Sequence, residues 1–199
     1  VPLAEPRYDY QKEVGVLRVV FIARIHSVKN LKVAVEAVCK MKSDVTFDVY
    51  GPLEQPEYWN ECMMIYKSAP SNVKVNYCGQ IEPTKVGCYF RQYDCFLFPT
   101  INENYGHSIA EALANGVPVI LSKGTTPWDS VHEKAGYVCP QDNIGTFIDA
   151  LEFMARMNDE EYRVLHAKVR DYYRAVIIKD DSVVGHKNMF NSIIGKLQE

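Results

Sequence analysis

The sequence predicts an α/β fold: a doubly wound parallel sheet with helices on both faces. Along its 199 residues, short apolar runs rich in β-branched residues alternate with longer segments in which apolar residues recur at helical spacing. That alternation is typical of a parallel sheet whose strands are joined by helical crossovers. The polar residues that could carry chemistry follow the ends of the strands, where sheets of this kind bind their ligands.

The predicted strands are continuous apolar runs, as expected for strands that are buried on both faces. The first run, VLRVVFIA, has the β-branched composition of a central strand. Most of the later runs lead into polar or turn-forming residues. In chain order the predicted strands cover residues 16–23, 45–50, 73–78, 94–99, 117–121 and 135–138.

The segments between the strands have helical periodicity. In the clearest one, Leu31, Val35, Val38 and Met41 would all face the sheet. A turn-rich connection before the last strand contains Trp128, which we interpret as a partly buried anchor that could instead border a sugar or acceptor cleft. These helices are predicted at residues 31–41, 57–68, 83–92, 146–157, 159–175 and 182–197.

Residues 103–120 organise the rest of the chain in the order loop, helix, turn and strand. Gly106 allows the backbone to turn, and Ser108 could then cap a helix, because Glu111 stands three residues further on, the spacing of a capping box. An Asn-Gly pair ends that helix, and a buried strand follows. The helix therefore begins just past the carboxyl end of one buried strand and leads into the next.

This layout predicts an anion site. The N-terminus of a helix presents free N–H groups and a partial positive charge, which suit a phosphate. Glu103 precedes the turn and Glu111 lies in the helix. Their carboxylates are better suited to accept hydrogen bonds from hydroxyl groups, as the ribose-binding acid of a dinucleotide fold does. A phosphate flanked by two such acids indicates a nucleotide sugar.

Two cations near the first strand could supply the charge that balances a phosphate. Arg24 directly follows the strand, and Lys29 stands at the start of the next helix, where the dipole disfavours a cation unless an anion lies there. Solvated surface charges are the usual fate of such residues, and the downstream motif is what favours an anion-binding role. Asn30 could also cap the helix.

The combined motifs resemble the signature of the retaining family-4 glycosyltransferases. The two glutamates have the spacing Glu-x7-Glu and are followed by ANGVPVI, and the segment RIHSVKN that begins at Arg24 is similar to that family's phosphate-binding segment. The likeness covers residues 16–157. It is to the C-terminal, donor-binding half of such enzymes, a Rossmann-like domain that forms one half of a GT-B fold. This chain has Asn30 and Tyr105 where the family has Gly and Phe.

The resemblance implies the donor-binding domain of an enzyme that transfers a sugar from a nucleotide-diphosphate sugar to an acceptor with retention of anomeric configuration. Arg24 and Lys29 would neutralise the diphosphate as catalytic residues. Glu103, also catalytic, would orient the donor sugar, and Glu111 would bind the ribose. For the histidine of the turn, we favour hydrogen bonding over general-base catalysis. For the strand-end loops, the alternative to donor binding is that their residues only form turns. The other donor-binding residues would be Asn104, Tyr105, Gly106, His107, Ser108, Gly51, Gln80 and Ile81.

The expected ligands and partners follow from the same resemblance. They are the nucleotide sugar as donor substrate, a glycan or lipid-linked acceptor, and an N-terminal domain of the same enzyme. We expect no cofactor and no metal, because cations and a helix end would balance the diphosphate and the chain contains no Asp-x-Asp. The net charge of −3 gives no sign of a nucleic-acid-binding surface.

The cysteines and aromatic residues bear on the cellular setting. The six cysteines show no Cys-x-x-Cys spacing, so we expect reduced core thiols in a cytoplasmic protein, and the family suggests polysaccharide biosynthesis. An aromatic and basic face on a late helix could make peripheral contact with the membrane or with the N-terminal domain, although ordinary packing is the preferred interpretation. That face comprises Tyr162, Arg170, Tyr172 and Tyr173.

We divide the chain into three parts. Residues 1–14 are expected to be a linker from an N-terminal domain, residues 15–178 the Rossmann-like nucleotide-sugar-binding domain, and residues 179–199 a helical segment that packs on the N-terminal domain. Two other classes of function stay open: a non-catalytic nucleotide-binding module, and another doubly wound protein such as a sugar-nucleotide epimerase-like domain. A flavodoxin-like domain is disfavoured because no glycine-containing phosphate loop follows the first strand.

Overall fold

The part of the chain that the structure describes folds around a six-stranded sheet in which all neighbouring strands are parallel. The structure is a computed structural model, and it describes residues 11–179. The strands are β1 (Val16–Ile22), β2 (Asp44–Tyr50), β3 (Val73–Tyr77), β4 (Cys95–Phe98), β5 (Val119–Ser122) and β6 (Gly136–Cys139). All six predicted strands are therefore present, each within two residues of its predicted bounds.

Helices connect the strands and cover the sheet. They are α1 (Leu31–Val38), α2 (Pro56–Tyr66), α3 (Val86–Phe90), α4 (His107–Ala114), α5 (Ile144–Arg156) and α6 (Asp159–Lys179). Helix α1 contacts α2 and α5, whereas α4 contacts α3 and α6, so the helices form two groups. The predicted doubly wound α/β class is confirmed.

The order of the strands identifies where a ligand should bind. Across the sheet it is β3-β2-β1-β4-β5-β6. The chain proceeds outward from β1 to β3, returns to the middle, and then proceeds outward from β4 to β6. In sheets with this order, ligands bind at the carboxyl ends of the strands on either side of the reversal. That point lies between β1 and β4.

The core confirms the predicted inward faces. In α1 and the turn after it, the four residues expected to face the sheet are at most 2% exposed, and these are Leu31, Val35, Val38 and Met41. Every residue of β4 is buried, as expected for a central strand covered on both faces. Burial of each large aliphatic side chain contributes about 1.5–3 kcal/mol, so these faces fix where α1 sits and where the loops beside it begin.

Helix α4 ends as the Asn-Gly pair predicts. The N–H of Gly116 donates to Leu113 O (3.0 Å), and the N–H of Val117 donates to Ala112 O (2.9 Å). This pair of bonds is the Schellman arrangement, which satisfies the last carbonyl groups of a helix. The chain is thereby turned directly into β5.

The cysteines match the expectation of core thiols only in part. Cys62, Cys95 and Cys139 are buried as predicted, but Cys78 and Cys88 are exposed, so the expectation of core thiols is wrong for these two. Cys78 directly follows β3, an edge strand of the sheet, and Cys88 lies in the short helix α3. Among residues 11–179 no helix combines the length and apolar character needed to cross a membrane.

Tyr162 and Tyr173 pack in the core, in agreement with the preferred interpretation, whereas Tyr172 is half-buried. Tyr162 and Tyr173 of α6 are each 2% exposed, and the Tyr162 hydroxyl donates to Asp94 O (3.0 Å). The helix predicted at residues 182–197 lies outside the described residues, as does most of the predicted N-terminal linker.

Candidate functional site

The loops that follow β1, β4 and β5 are joined to one another at the carboxyl edge of the sheet. The N–H of Ile101 donates to Val28 O (2.9 Å), and the Thr100 hydroxyl lies 3.1 Å from the same oxygen. The N–H of Glu103 donates to Thr125 O (2.9 Å). These bonds bring the predicted site residues, which lie in segments 24–30 and 103–111, to the point between β1 and β4 where the strand order reverses.

An ion pair links the two halves of the sequence motif. Lys29 Nζ lies 2.7 Å from Glu103 Oε2, and the side chains are only 11% and 22% exposed. The same ammonium lies 5.6 Å from the centroid of the Phe98 ring, the last residue of β4. Lys29 is therefore held over the end of β4, rather than extending into solvent as an isolated surface lysine would.

The surroundings of Glu103 favour its ionised form. Partial burial raises the pKa of this carboxyl, but the hydrogen bond and charge of Lys29, with the N–H groups of Gly106 and Tyr105, outweigh burial and lower the pKa below its usual range. Glu103 is therefore a carboxylate at neutral pH. Its negative charge holds the Lys29 ammonium at the mouth of the site.

Asn30 takes the backbone conformation for which glycine is usually needed. Its φ and ψ are 54° and 38°, in the left-handed region that asparagine tolerates better than most residues. The substitution for the family's glycine is thus accommodated. The predicted capping role of the Asn30 side chain is wrong. Within the described part of the chain this side chain makes no capping hydrogen bond, because the left-handed backbone already sets the start of α1.

Arg24 lies in a different environment from Lys29. Its Nη1 is 2.9 Å from Glu54 Oε2, and the two side chains are 52% and 37% exposed. Exposed pairs of this kind contribute little to stability, so Arg24 can exchange Glu54 for another anion at low cost.

A segment after β2 supports the loop that carries these cations. Gln55 Oε1 accepts the N–H of Ser27 (2.8 Å), and the N–H of Ile25 donates to Pro52 O (2.9 Å). Sequence reasoning missed Glu54 and Gln55. Both follow the end of β2, the strand next to β1, so the strand-end rule could have found them.

The first turn of α4 differs by one detail from the prediction. Gly106, with φ 79° and ψ 60°, is the N-cap, and His107 is the first helical residue. The predicted capping role of Ser108 is therefore wrong, because the left-handed glycine starts the helix before the serine is reached. The first N–H groups of α4 have no acceptor within the helix, and an anion site at this N-terminus stays a prediction.

The turn before α4 is lined by aromatic groups. The rings of Tyr105 and His107 have centroids 4.8 Å apart, and Tyr105 is exposed. On the other side, the indole N–H of Trp128 donates to Tyr105 O (2.5 Å). Trp128 is 6% exposed, which agrees with its interpretation as a buried anchor. Asn104 is exposed on the same turn.

Glu111 lies half-buried on α4 and differs electrostatically from Glu103. Burial raises the pKa of the Glu111 carboxyl, and the nearby His107 offsets only part of that effect. Burial raises the pKa of Tyr173 in α6 to about 12, and the nearby Tyr105 and Glu111 add to the rise. The α4–α6 contact therefore forms one wall around Glu111.

The strand-end loops after β2 and β3 meet beside this region. The buried Gly51 donates its N–H to Gly79 O (2.8 Å), and a Cβ at Gly51 would lie 1.8 Å from Ala23 O. These contacts give Gly51 a packing role, which is what the alternative of a turn-forming residue predicts. Gln80 is exposed and Ile81 is half-buried. A role in binding the base stays a prediction for these residues.

Strand order, site position and helix arrangement together define a Rossmann-like domain of the kind that forms one half of a GT-B fold. Residues 7–171 match the profile of the family described as glycosyl transferases group 1. The chain belongs to this family. The resemblance found in the sequence motifs is thereby confirmed.

Two curated relatives have related sequences. The chain is 29% identical over 161 residues to the 2-deoxystreptamine N-acetyl-D-glucosaminyltransferase of Niallia circulans, and 22% identical over 152 residues to the D-inositol 3-phosphate glycosyltransferase of Pseudarthrobacter chlorophenolicus. These alignments cover 78% and 73% of this chain, but only 40% and 36% of the relatives. The chain thus spans less than half the length of these relatives.

Solved structures show the same fold. The C-terminal domain of LpcC, a glycosyl transferase group 1 family protein from Francisella tularensis, has a TM-score of 0.68 at 20% identity, over 78% of this chain and 83% of that one. Anabaena HepE in complex with UDP-glucose has a TM-score of 0.72 at 14% identity, over 87% of this chain and 49% of that one. At these identities the likeness establishes the fold alone.

Proposed function

We propose that this domain binds a nucleotide-diphosphate sugar at the carboxyl ends of β1 and β4 and forms the donor half of a retaining glycosyltransferase. The observation that carries the proposal is the Lys29–Glu103 ion pair, 2.7 Å long and mostly buried, beside the N-terminus of α4 at the reversal of strand order. The UDP-glucose complex of HepE, a protein of the same fold, supports this choice of ligand.

In this proposal the diphosphate is stabilised by charge. Lys29 is already placed by Glu103, and Arg24 turns from Glu54 toward the phosphate. As the bond between the sugar and the diphosphate breaks, negative charge grows on the leaving oxygen, and fixed cations stabilise that charge more than they stabilise the bound donor. The N-terminus of α4 adds its partial positive charge. These groups could balance the diphosphate without a metal.

The two carboxylates have separate roles in this proposal. Glu103 accepts hydrogen bonds from the donor sugar while it holds Lys29, and Glu111 accepts hydrogen bonds from the ribose hydroxyls. The half-buried setting of Glu111 makes such bonds strong, because a charged acceptor in a partly desolvated site gains more from each donor. The acceptor, a glycan or a lipid-linked saccharide, would be bound mainly by the other half of the enzyme.

Calorimetric titration with UDP, GDP and ADP tests the donor proposal. We expect one base to be preferred, with the same affinity in Mg²⁺ and in EDTA. Glu111→Ala should weaken binding about tenfold to a hundredfold, as expected when a charged hydrogen-bond acceptor is lost. Glu36→Ala, which removes a half-buried glutamate from α1, is the matched control and should bind normally. Wild-type affinity in Glu111→Ala would contradict the ribose assignment.

The raised pKa of Glu111 predicts how donor binding depends on pH. An ordinary glutamate loses its charge near pH 4.3, and the raised folded-state pKa of Glu111 moves that loss to higher pH. Affinity for the intact nucleotide sugar, whose diphosphate has no terminal phosphate to titrate near pH 6, should therefore fall on mild acidification.

Variants of the same site separate Glu111 from its neighbours. Glu111→Gln should bind more weakly at neutral pH and lose the acid-side dependence, whereas His107→Gln should keep it. Titrations at several pH values in a mixed buffer provide the measurement. An unchanged acid-side dependence in Glu111→Gln would assign it to another group.

A further inference from the structure

The indole of Trp128 contacts the turn that starts α4. Its N–H donates to Tyr105 O over 2.5 Å, and the side chain is 6% exposed. A Cβ at Gly106 would lie 3.3 Å from the indole nitrogen and 2.7 Å from Ile109 Cδ1. The turn is therefore enclosed by the indole on one side and by its own helix on the other.

The loop that carries Trp128 is itself held in place. Its Thr125 accepts the N–H of Glu103 (2.9 Å), and the Thr125 hydroxyl donates to Ser122 O at the end of β5 (3.0 Å). The Asp129 carboxylate accepts the N–H of Gly124 (2.9 Å). A loop anchored at its base and closed on itself can act as a fixed support for a neighbouring turn.

Peptide geometry connects Trp128 to Glu103. The carbonyl of Tyr105 and the N–H of Gly106 belong to one planar, trans peptide group, so they point in opposite directions. Fixing the carbonyl from the Trp128 side therefore fixes the N–H on the other side. That N–H is one of the groups that favour the charged form of Glu103.

We propose that Trp128 is a positioning residue, which orients the Tyr105–Gly106 peptide and through it Glu103 and the first turn of α4. The inference rests on the proposed donor site and adds a residue that makes no contact with the diphosphate in that proposal. Loss of the indole N–H leaves the peptide free to rotate, so Glu103 and the helix N–H groups spend less time in the orientation that binds donor.

Trp128→Phe tests this role, because phenylalanine keeps an aromatic ring in the core but has no N–H. Two measurements are made on the folded protein: the affinity for UDP, GDP and ADP by calorimetry, and the exchange of backbone amides by NMR. The informative amide is Ala110, whose N–H donates to Gly106 O (3.0 Å). The loss of one hydrogen bond predicts about fivefold faster exchange at Ala110 and about fivefold weaker binding.

Trp59→Phe is the matched control, because it makes the same substitution at a tryptophan of α2 that contacts Tyr77. It should leave Ala110 exchange at the wild-type rate. Ala110 exchange and nucleotide affinity that both equal wild type in Trp128→Phe would overturn the inference. Faster exchange with unchanged affinity would also overturn it, because Trp128 would then be structural only.

Amide exchange also distinguishes this inference from the proposed function, since it requires no ligand. Faster exchange in Trp128→Phe, together with a wild-type protein that binds none of the three nucleotides, would reject the proposed function and retain the role of Trp128 in orienting the turn. If Trp128→Phe fails to fold, Gly106→Ala disturbs the same turn, because its Cβ would lie 2.7 Å from Ile109 Cδ1 and 3.3 Å from the Trp128 indole nitrogen. Unchanged Ala110 exchange in Gly106→Ala would then overturn the inference.

Discussion

Replacing Lys29 by methionine is expected to lower kcat/KM for sugar transfer by about a hundredfold to a thousandfold, the range seen when one preorganised group that stabilises developing charge is removed. Methionine has a similar length and can keep the contact with Phe98, over whose ring the ammonium lies at 5.6 Å. What is lost is the positive charge, which in our proposal balances the leaving diphosphate. The measurement is steady-state transfer by the complete enzyme with a saturating acceptor.

The same variant should reveal the ion pair in the stability of the protein. Without Lys29, the Glu103 carboxylate is left partly buried with only backbone donors, at a cost of about 1–3 kcal/mol. The pKa of Glu103 is lowered by folding, so its contribution is present above the unfolded-state pKa of about 4.3 and is lost as pH falls through the folded value. Lys29→Met should remove most of this dependence.

Matched variants assign the effect to this lysine. Lys32→Met makes the same change at an exposed position of α1 and should leave both activity and stability near wild type. Lys29→Met combined with Glu103→Gln should recover part of the lost stability but none of the activity. If Lys29→Met kept kcat/KM within twofold of wild type, Lys29 would have no role in leaving-group departure.

Features set by local sequence could be predicted well. Apolar runs located the strands, helical spacing located the inward face of α1, and the Asn-Gly pair located the end of α4. The strand-end rule placed Arg24 and Glu103 at one edge of the sheet, and Lys29 was predicted close to them at the start of the next helix. These predictions depend on residues within a few positions of one another, where backbone propensity and side-chain periodicity dominate.

Features set by contacts between distant residues could not be predicted. The pairing of Lys29 with Glu103 spans 74 residues, and the bond from Trp128 to Tyr105 spans 23. Nothing in the sequence shows that Lys29 would be buried and Arg24 exposed, because that difference depends on how two loops pack. The mistaken cap at Ser108 has a local cause, since capping-box spacing did not reveal that Gly106 starts the helix in a left-handed conformation.

Gly51→Ala is expected to be strongly destabilising, by about 4 kcal/mol or more, with Tm lower by about 10 °C. A Cβ at this position would lie 1.8 Å from Ala23 O and 2.6 Å from Ala23 C, and both are main-chain atoms that no side-chain rotation can move. The φ of 139° adds backbone strain for any residue with a side chain. Thermal and urea unfolding of the two proteins give the measurement.

Gly79→Ala separates the steric effect from the backbone strain. Gly79 has a φ of 78°, and its Cβ would meet nothing within 4 Å, so only strain of about 1–2 kcal/mol is expected. Equal losses in the two variants would show that the close approach of Gly51 to Ala23 is unimportant. If Gly51→Ala loses more stability than Gly79→Ala, we also expect the folded Gly51→Ala protein to bind nucleotide more weakly than wild type. Displacing Ala23 moves the next residue, Arg24, so at Gly51 the packing of the sheet edge and the geometry of the donor site depend on the same missing side chain.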